Sequence, residues 1–211
     1  LLTQGNQAFE KGKFDEAEIE YKKVIKLKPN IAEVHFNLAI IQYTLNKFDE
    51  AEASYKKTIL LKPDMSQAYQ NLGTVYSRIN RLKEAEKYYK KAIEINPNYV
   101  EAYNNLGTVF LKLKKTSEAE LSYKKAINIK PDFFRAHNNI ANILRDQGKF
   151  DESILSYKKA LEIKPDYLEA HFNLGIIYNQ IGKISEAEKN FIKVLELDSN
   201  YVEAHFNLGL V

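Results

Sequence analysis

Apolar and polar residues recur along this chain with a period of 34 residues, and within each period they predict two amphipathic helices. In the period from 98 to 131, one set of apolar or small residues is Tyr103, Leu106, Gly107 and Phe110. The second set is Ala119, Tyr123, Ala126 and Ile127. Spacings of three and four residues place side chains on one face of an α-helix. Each period is therefore predicted to be a pair of helices that pack against each other, and a strict period of this length is typical of stacked helical hairpins.

Prolines end each period, because proline stops the preceding helix. They are Pro29, Pro63, Pro97, Pro131 and Pro165, with Ser199 in the sixth slot. An Asn or Asp follows each of these positions, and Glu or Gln stands three residues later in five of six cases. This pattern predicts an N-terminal capping box at Asn30, Asp64, Asn98, Asp166 and Asn200.

The middle of each period carries a helix break followed by a second helix start. A left-handed backbone conformation, which favours Gly or Asn, is predicted at one position of each break. The positions are Gly12, Asn46, Asn80, Gly148 and Gly182. Lys114 occupies the same phase and is the exception in residue type. N-caps of the second helices are predicted at Asp15, Asp49, Ser117, Asp151 and Ser185, with Lys83 as the misfit.

Small residues share two phases of the period, so they predict where paired helices approach closely. The first-helix positions are Gly5, Ala39, Gly73, Gly107, Ala141, Gly175 and Gly209. The second-helix positions are Ala17, Ala51, Ala85, Ala119, Ser153 and Ala187. Large rings predicted to fill the space between hairpins are Tyr21, Tyr55, Tyr89, Tyr123, Tyr157 and Phe191.

These spacings resemble the tetratricopeptide repeat over essentially the whole chain, and the arrangement is most similar to long regular arrays such as that of O-linked N-acetylglucosamine transferase. The resemblance implies an all-α fold: a right-handed superhelical α-solenoid of antiparallel helix pairs with about 13 helices and a concave, peptide-binding groove lined by the first helix of each pair. The expected organisation is one array over 1–211. Its repeats are 1–31, 32–65, 66–99, 100–133, 134–167 and 168–201, followed by 202–211 as the first helix of a truncated seventh.

Composition narrows the function classes only slightly. The net charge of +3 argues against nucleic acid and anionic membranes as partners, and the absence of cysteine excludes a disulfide framework and thiolate metal sites. No stretch approaches the roughly 18 apolar residues of a membrane span. The sequence starts without Met inside a repeat, so we expect it to be a piece of a longer protein, and we expect a cytoplasmic location.

One amide recurs in the same phase of six consecutive periods and is the first candidate site. The series, called the asparagine ladder below, is Asn37, Asn71, Asn105, Asn139, Asn173 and Asn207. A carboxamide can donate to and accept from a peptide group at once, so the ladder is predicted to bind the backbone of an extended peptide. It resembles the ladder in the groove of the glycosyltransferase arrays. The alternative is that these amides only steady the packing of adjacent first helices.

Residues around the ladder are the second candidate. Groove lining is expected one residue before each amide, at Phe36, Gln70, Asn104, Asn138, Phe172 and Phe206, and three residues after it, at Ile40, Thr74, Thr108, Asn142, Ile176 and Leu210. Apolar anchor pockets are expected at Phe36 with Ile40 and Tyr43, and at Phe172 with Ile176, unless these rings tuck against the next repeat. The groove cations are Arg78, Lys112, Arg135 and Arg145. Phe206, Leu210 and Val211 are expected to favour self-association through the open end.

The full carboxylate clamp of chaperone-type repeats is not expected, because its basic residue directly before the ladder is replaced by Phe, Gln or Asn. Four histidines, His35, His137, His171 and His205, share an aromatic packing phase and are expected to be structural rather than metal ligands. The lysine pairs from Lys22-Lys23 to Lys158-Lys159 are expected on the outer surface, with Glu four residues before Lys22, Lys56, Lys90 and Lys124.

No nucleophile with a base, phosphate loop or paired acid and base is recognisable, so neither catalysis nor a cofactor is expected. The predicted function is a protein-interaction scaffold for extended peptide segments. The alternative is the substrate-recruiting region of a larger enzyme such as a glycosyltransferase.

Overall fold

The computed structural model describes residues 2–209, and within that range every regular element is an α-helix. The first seven helices are α1 (Leu2–Glu10), α2 (Phe14–Leu27), α3 (Ala32–Thr44), α4 (Phe48–Leu61), α5 (Ser66–Arg78), α6 (Leu82–Ile95) and α7 (Val100–Lys112). The remaining six are α8 (Thr116–Ile129), α9 (Phe134–Asp146), α10 (Phe150–Ile163), α11 (Leu168–Gln180), α12 (Ile184–Leu197) and α13 (Val202–Leu208). The expected all-α class and helix number are confirmed.

The chain forms two compact units, 1–115 and 116–211, called here the N-terminal and C-terminal units. In the N-terminal unit α1 packs on α2, α3 on α4 and α5 on α6, and each pair also contacts the next helix along the chain. In the C-terminal unit α9 packs on α10 and α11 on α12, with α8 against α9 and α13 against α12. Short connections between successive helices make each pair antiparallel.

Each helix pair turns through one residue with positive φ, at the predicted positions. The values are 70° at Gly12, 58° at Asn46, 61° at Asn80, 60° at Lys114, 74° at Gly148 and 75° at Gly182. The residue after the turn donates its N–H back into the last turn of the first helix, as Lys115 does to the Phe110 carbonyl at 2.8 Å. The helix break is therefore fixed by hydrogen bonding even where the residue is lysine.

The predicted N-caps are wrong by one residue at the first helices. Met65, Tyr99, Phe133 and their equivalents occupy the cap position, and no side chain caps the helix. The reason is a β-turn in which Pro63 and Asp64 are the central residues and the Met65 N–H donates to the Lys62 carbonyl at 3.2 Å. The Asn or Asp is used by this turn, so the next residue opens the helix.

The second-helix caps are also displaced, in the opposite direction. The cap position holds Lys13, Lys47, Arg81, Lys149 or Lys183, and none of their side chains caps the helix. Asp15, Asp49 and Asp151 lie inside the first turn, where a carboxylate suits the positive end of the helix dipole.

Close helix packing occurs at the predicted small residues. The second-helix series from Ala17 to Ala187 is fully buried, including Ser153. At Gly73, a Cβ atom would lie only 2.8 Å from Cδ1 of Tyr89, and at Gly175 it would lie 2.6 Å from Cε1 of Phe191. These two glycines allow a large ring to lie directly on the backbone of the partner helix.

Ion pairs connect successive second helices of the N-terminal unit. Glu18 pairs with Lys47 at 2.6 Å, Glu52 with Arg81 at 3.4 Å and Glu86 with Lys115 at 3.0 Å. Burial alone would raise the pKa of Glu86, but hydrogen bonds from Lys90 and Lys115 outweigh it and hold the pKa below its usual value. The predicted pairs four residues apart are confirmed at Lys22, Lys56, Lys90 and Lys124.

The histidines share one hydrogen bond that the sequence did not indicate. The Nε2 atom of His35 lies 2.8 Å from the Pro29 carbonyl oxygen, and His137, His171 and His205 make the same contact six residues back at 2.8 to 2.9 Å. A carbonyl only accepts, so Nε2 carries the proton. Each imidazole thus holds the turn before its helix, and residues 2–209 contain no cluster of three or more potential metal ligands.

Across residues 2–209, none of the helices combines the length and the apolar character that a membrane crossing requires.

Replacing Lys114 with Gly is expected to stabilise the protein. An L-residue with a side chain pays roughly 1–2 kcal/mol in the left-handed region, and Gly avoids most of that penalty. We expect the thermal unfolding midpoint to rise by about 2–4 °C, measured by circular dichroism. The matched control is Asn80→Gly, for which the gain should be smaller because Asn tolerates this conformation. A midpoint unchanged or lowered by Lys114→Gly would contradict this reading of the turn.

Candidate functional site

The six ladder amides lie near the middle of first helices or, at the chain end, in α13, and all are half-buried. Asn37, Asn71 and Asn105 belong to α3, α5 and α7 of the N-terminal unit. Asn139, Asn173 and Asn207 belong to α9, α11 and α13 of the C-terminal unit. Half-burial leaves part of each residue exposed to solvent.

A cavity of about 220 Å³ opens on the first-helix side of the N-terminal unit, and we call it the first-helix cavity. Its lining residues are Tyr43, Thr74, Ser77, Arg78, Tyr89, Asn105, Thr108 and Lys112. Six of these were predicted: Tyr43, Arg78, Asn105 and Lys112 as site residues, and Thr74 and Thr108 as groove lining. The stacking of α3, α5 and α7 therefore brings together residues that lie up to 69 positions apart in the sequence.

The first-helix cavity is cationic and rich in hydroxyl groups. Arg78 and Lys112 are exposed, occupy the same phase of adjacent repeats, and make no ion pair with any residue in the described range. No carboxylate is among the lining residues. Unpaired cations beside hydroxyls and one carboxamide suit carboxylate and main-chain carbonyl groups of a ligand.

Tyr89 also lines this cavity, although its ring is buried against Gly73. The hydroxyl oxygen lies 3.1 Å from Oγ1 of Thr74. Burial raises the pKa of Tyr89 to about 12, with hydrogen bonding between Tyr89 and Thr74 opposing part of the rise. The phenol is therefore protonated near neutral pH, and its hydroxyl is hydrogen-bonded to Thr74.

Tyrosine hydroxyls also meet the ladder itself. Burial raises the pKa of Tyr55, and hydrogen bonding with Asn71 of the following first helix opposes the rise. The same relation holds between Tyr21 and Asn37, while the Tyr21 hydroxyl donates to Oδ1 of Asn6 at 2.7 Å. These amides thus already serve the packing of adjacent repeats, as the alternative interpretation of the ladder expects.

In the C-terminal unit, a continuous hydrogen-bond network joins three predicted site residues. Arg145 Nη1 donates to Asn173 Oδ1 at 2.8 Å, and Asn173 Nδ2 donates to Asn142 Oδ1 at 3.3 Å. The Tyr157 hydroxyl donates to the same Asn142 oxygen. Arg145 also pairs with Asp146 at 3.0 Å, so its charge is partly neutralised.

The aromatic anchors are packed within the protein. Phe36 lies edge-on to Tyr55 with ring centroids 5.9 Å apart, and Phe172 contacts Phe191 at 5.9 Å and Tyr201 at 5.2 Å. Both rings are half-buried, and neither lines the first-helix cavity. An anchoring role for these two rings stays a prediction.

The expected groove lining at Gln70, Asn104 and Asn138 is wrong, because all three are buried. One residue on an α-helix corresponds to a rotation of about 100°. In these three repeats the position before the ladder amide is therefore turned into the helix interface.

Sequence reasoning missed two lining residues as members of the site, Ser77 and Tyr89. Ser77 lies 34 residues after Tyr43, which was predicted as a groove residue. The repeat period alone would therefore have indicated Ser77 as a lining residue. Tyr89 was assigned to packing between hairpins, and the sequence holds no sign that its hydroxyl reaches the surface.

At the C-terminal end, Asn207 Nδ2 donates to the Glu203 carbonyl at 2.7 Å, and Phe206 is 68% exposed. Leu210 and Val211, the other residues expected to promote self-association, lie outside the described residues. Self-association through this end stays a prediction.

Family models match most of the chain. Models described as TPR repeat match 5–46 and 141–182, and models described as tetratricopeptide repeat match 32–65, 66–99, 168–201 and 88–120. No match was found among curated proteins.

Solved structures provide further matches. The crystal structure of MamA is 34% identical, with 76% of this chain and 94% of that chain covered and a TM-score of 0.71. YrrB, described as a TPR protein with an unusual peptide-binding site, is 23% identical, with 88% and 96% covered and a TM-score of 0.64. PilF of Pseudomonas aeruginosa is 16% identical, with 100% and 96% covered and a TM-score of 0.84.

Proposed function

Because the chain belongs to the tetratricopeptide-repeat family, we propose that it is a non-catalytic scaffold that binds extended peptide segments along its concave, first-helix groove. The observation that carries the proposal is the first-helix cavity, in which Asn105 lies with two unpaired cations, Arg78 and Lys112. The likeness to YrrB extends to the fold alone at 23% identity, so the support comes from the residues of this chain.

The geometry of stacked helices suits an extended ligand. Neighbouring helices pack about 8–10 Å apart, and an extended chain advances roughly 3.3 Å per residue. Successive rungs of the ladder would therefore meet about every third residue of a bound strand. A carboxamide at each rung can accept from a peptide N–H and donate to a peptide C=O, so binding at the rungs depends on backbone rather than on side-chain identity.

The first-helix cavity adds a preference for acidic residues to this backbone contact. Arg78 and Lys112 have no carboxylate partner within residues 2–209, and Thr74, Ser77 and Thr108 line the same cavity. A carboxylate entering here forms ion pairs with exposed cations, which contribute about 0.2–1 kcal/mol each. We therefore infer that a segment with acidic residues at intervals of three is preferred.

Anisotropy of a fluorescein-labelled 12-residue probe tests this proposal, using a Gly-Ser peptide with Asp at every third position. We expect Arg78→Gln combined with Lys112→Gln to weaken binding about tenfold or more, and Asn105→Ala to weaken it about tenfold, since 1.4 kcal/mol is a factor of ten in affinity. The matched control is Lys130→Gln with Lys158→Gln, which removes two exposed charges outside the cavity and should change affinity less than twofold.

Two results would separate the parts of the proposal. Unchanged affinity of Asn105→Ala, with loss in the double charge variant, would remove the ladder from the mechanism and leave a purely electrostatic site. Unchanged affinity of both variants would show that the probe does not occupy the first-helix cavity.

A further inference from the structure

A second and larger cavity lies on the other side of the N-terminal unit, where second helices α4 and α6 meet. It encloses about 750 Å³, against about 220 Å³ for the first-helix cavity, and we call it the outer groove. Ile59 of α4 and Tyr69 of α5 form one wall. One face of α6, including Lys83, Lys87, Tyr88 and Lys91, forms the other. None of these residues belongs to the first-helix cavity.

Tyr88 departs from the repeat pattern. The equivalent positions in the other periods hold Glu20, Ser54, Ser122, Ser156 and Asn190, all smaller or polar. The Tyr88 ring stacks on Tyr76 with centroids 5.3 Å apart and planes at 25°, and it lies 6.3 Å from the Tyr69 ring. The Tyr88 side chain is half-buried, and its hydroxyl has no hydrogen-bond partner among the described residues. A partly open aromatic surface with a free donor is thus built into this groove.

The charges of the outer groove are predominantly positive. Lys90 pairs with Glu86 and Lys91 with Glu94, each at 2.6 Å. Lys83 and Lys87 also line the groove, and neither makes an ion pair with a described residue. Lys87 lies 5.7 Å from the centroid of the Tyr88 ring. Two unmatched ammonium groups therefore line the same groove as the half-buried Tyr88 ring.

The preceding repeat offers a natural comparison. The corresponding groove between α2 and α4 encloses about 400 Å³ and is lined by Ile25, His35 and Lys57, which occupy the phases of Ile59, Tyr69 and Lys91. At two further shared phases it has Ala53 and Ser54, where the outer groove has Lys87 and Tyr88. These two substitutions give the outer groove its additional ring and one of its two unmatched charges; the other, Lys83, stands where the preceding repeat has Asp49.

We propose that the outer groove is a second binding site, independent of the first-helix groove, for an acidic peptide segment that carries one aromatic side chain. The aromatic side chain packs on Tyr88 and Ile59, and carboxylates on either side of it pair with Lys83 and Lys87. A volume of about 750 Å³ lies within the roughly 300–1,000 Å³ of ordinary ligand pockets and is ample for a large side chain with its neighbouring residues.

The walls favour a peptide over a nucleic acid. Glu86 and Glu94 line the same groove, and a continuous phosphate backbone would pass close to both carboxylates. A peptide places its negative charges at chosen positions, so it can approach the lysines and avoid the glutamates.

Fluorescence anisotropy with two labelled nine-residue probes tests the proposal: one with a central Phe flanked by Asp and Glu, and one with Gly in place of Phe. We expect the Phe probe to bind at least tenfold more tightly than the Gly probe. Converting the outer groove to its counterpart, by Lys87→Ala with Tyr88→Ser, should weaken binding of the Phe probe at least tenfold. The matched control is Lys26→Ala in the α2–α4 groove, which should leave affinity within twofold.

Further variants keep the test decisive. Lys83→Ala with Lys87→Ala changes only exposed side chains, so its expected tenfold loss does not depend on the packing of Tyr88. Lys130→Gln with Lys158→Gln, which removes two exposed charges outside both cavities, should leave binding of the Phe probe unchanged. Unaltered affinity in the outer-groove variants would overturn the proposal, as would tighter binding of a single-stranded oligonucleotide than of the Phe probe. Dimerisation of the free protein that is lost in these variants would instead assign the groove to a second copy of the chain and overturn it too.

Discussion

Replacing Phe191 with Ala is expected to lower the free energy of unfolding by about 3–5 kcal/mol, because it removes a whole ring from a fully buried site. The ring lies against the backbone of Gly175 in the partner helix and contacts Phe172. Gly175 has no side chain that could move into the space, so the cavity stays largely open. Chemical denaturation followed by far-ultraviolet circular dichroism measures the loss.

Ile192→Ala is the matched control for Phe191→Ala. Ile192 is the next residue of α12 but is 42% exposed, so its truncation removes much less buried surface. We expect a change of less than about 1 kcal/mol. If the two variants were equally stable, the ring of Phe191 would not be the packing centre of the C-terminal unit.

Replacing Gly73 with Leu is expected to destabilise the N-terminal unit by roughly 3 kcal/mol, from overpacking. The new Cβ atom would lie 2.8 Å from Cδ1 and 2.9 Å from Cε1 of Tyr89, and three further carbons would follow it. Tyr89 is 2% exposed, so its ring has no free space to enter. The loss is read from the thermal unfolding midpoint and from denaturant titration.

Gly73→Ala is the matched variant, and we expect it to lose no more than about 1 kcal/mol of stability, because its single added carbon displaces the Tyr89 ring less than the four carbons of Leu do. The equivalent positions of two other periods hold Ala39 and Ala141, so the repeat tolerates one methyl group there. Ala also gains about 1 kcal/mol of helix propensity over Gly, which offsets a small shift of the ring. A Leu variant as stable as the Ala variant would contradict the close approach of α5 and α6.

The sequence specified the helices and the breaks within each pair well, because both depend on local chemistry. Gly12 and Asn46 are residues that accept positive φ, and the period carried the same conformation to Lys114 despite its side chain. Helix starts were less accurate. A Pro-Asp pair suits the centre of a β-turn and also suits the entry of a helix, and the two readings differ by one residue.

The candidate site was partly predictable for the same reason. Residues in equal phases of a repeat come together when repeats stack, so Arg78 and Lys112 were found without coordinates. Phe36 and Gln70 were harder to place, because the angle at which neighbouring first helices pack decides which flank of the ladder is covered. The position of the Tyr89 hydroxyl depends on the depth of its ring, and that depth is set by Gly73 on another helix.

The ion pairs between successive second helices also bear on how such a chain can change length. In the N-terminal unit each link joins a carboxylate, as in Glu18 or Glu52, to a cation 29 residues later in the following hairpin. The carboxylate and the cation each occupy a fixed phase of the repeat. A hairpin duplicated in frame in the gene would therefore carry both a cation for the preceding hairpin and a carboxylate for the following one. The array could therefore grow or exchange modules there while every carboxylate keeps a partner. A hairpin inserted next to the one that contains Ile154 would not gain this ion pair there, because Ile154 occupies the phase of those glutamates and has no carboxylate.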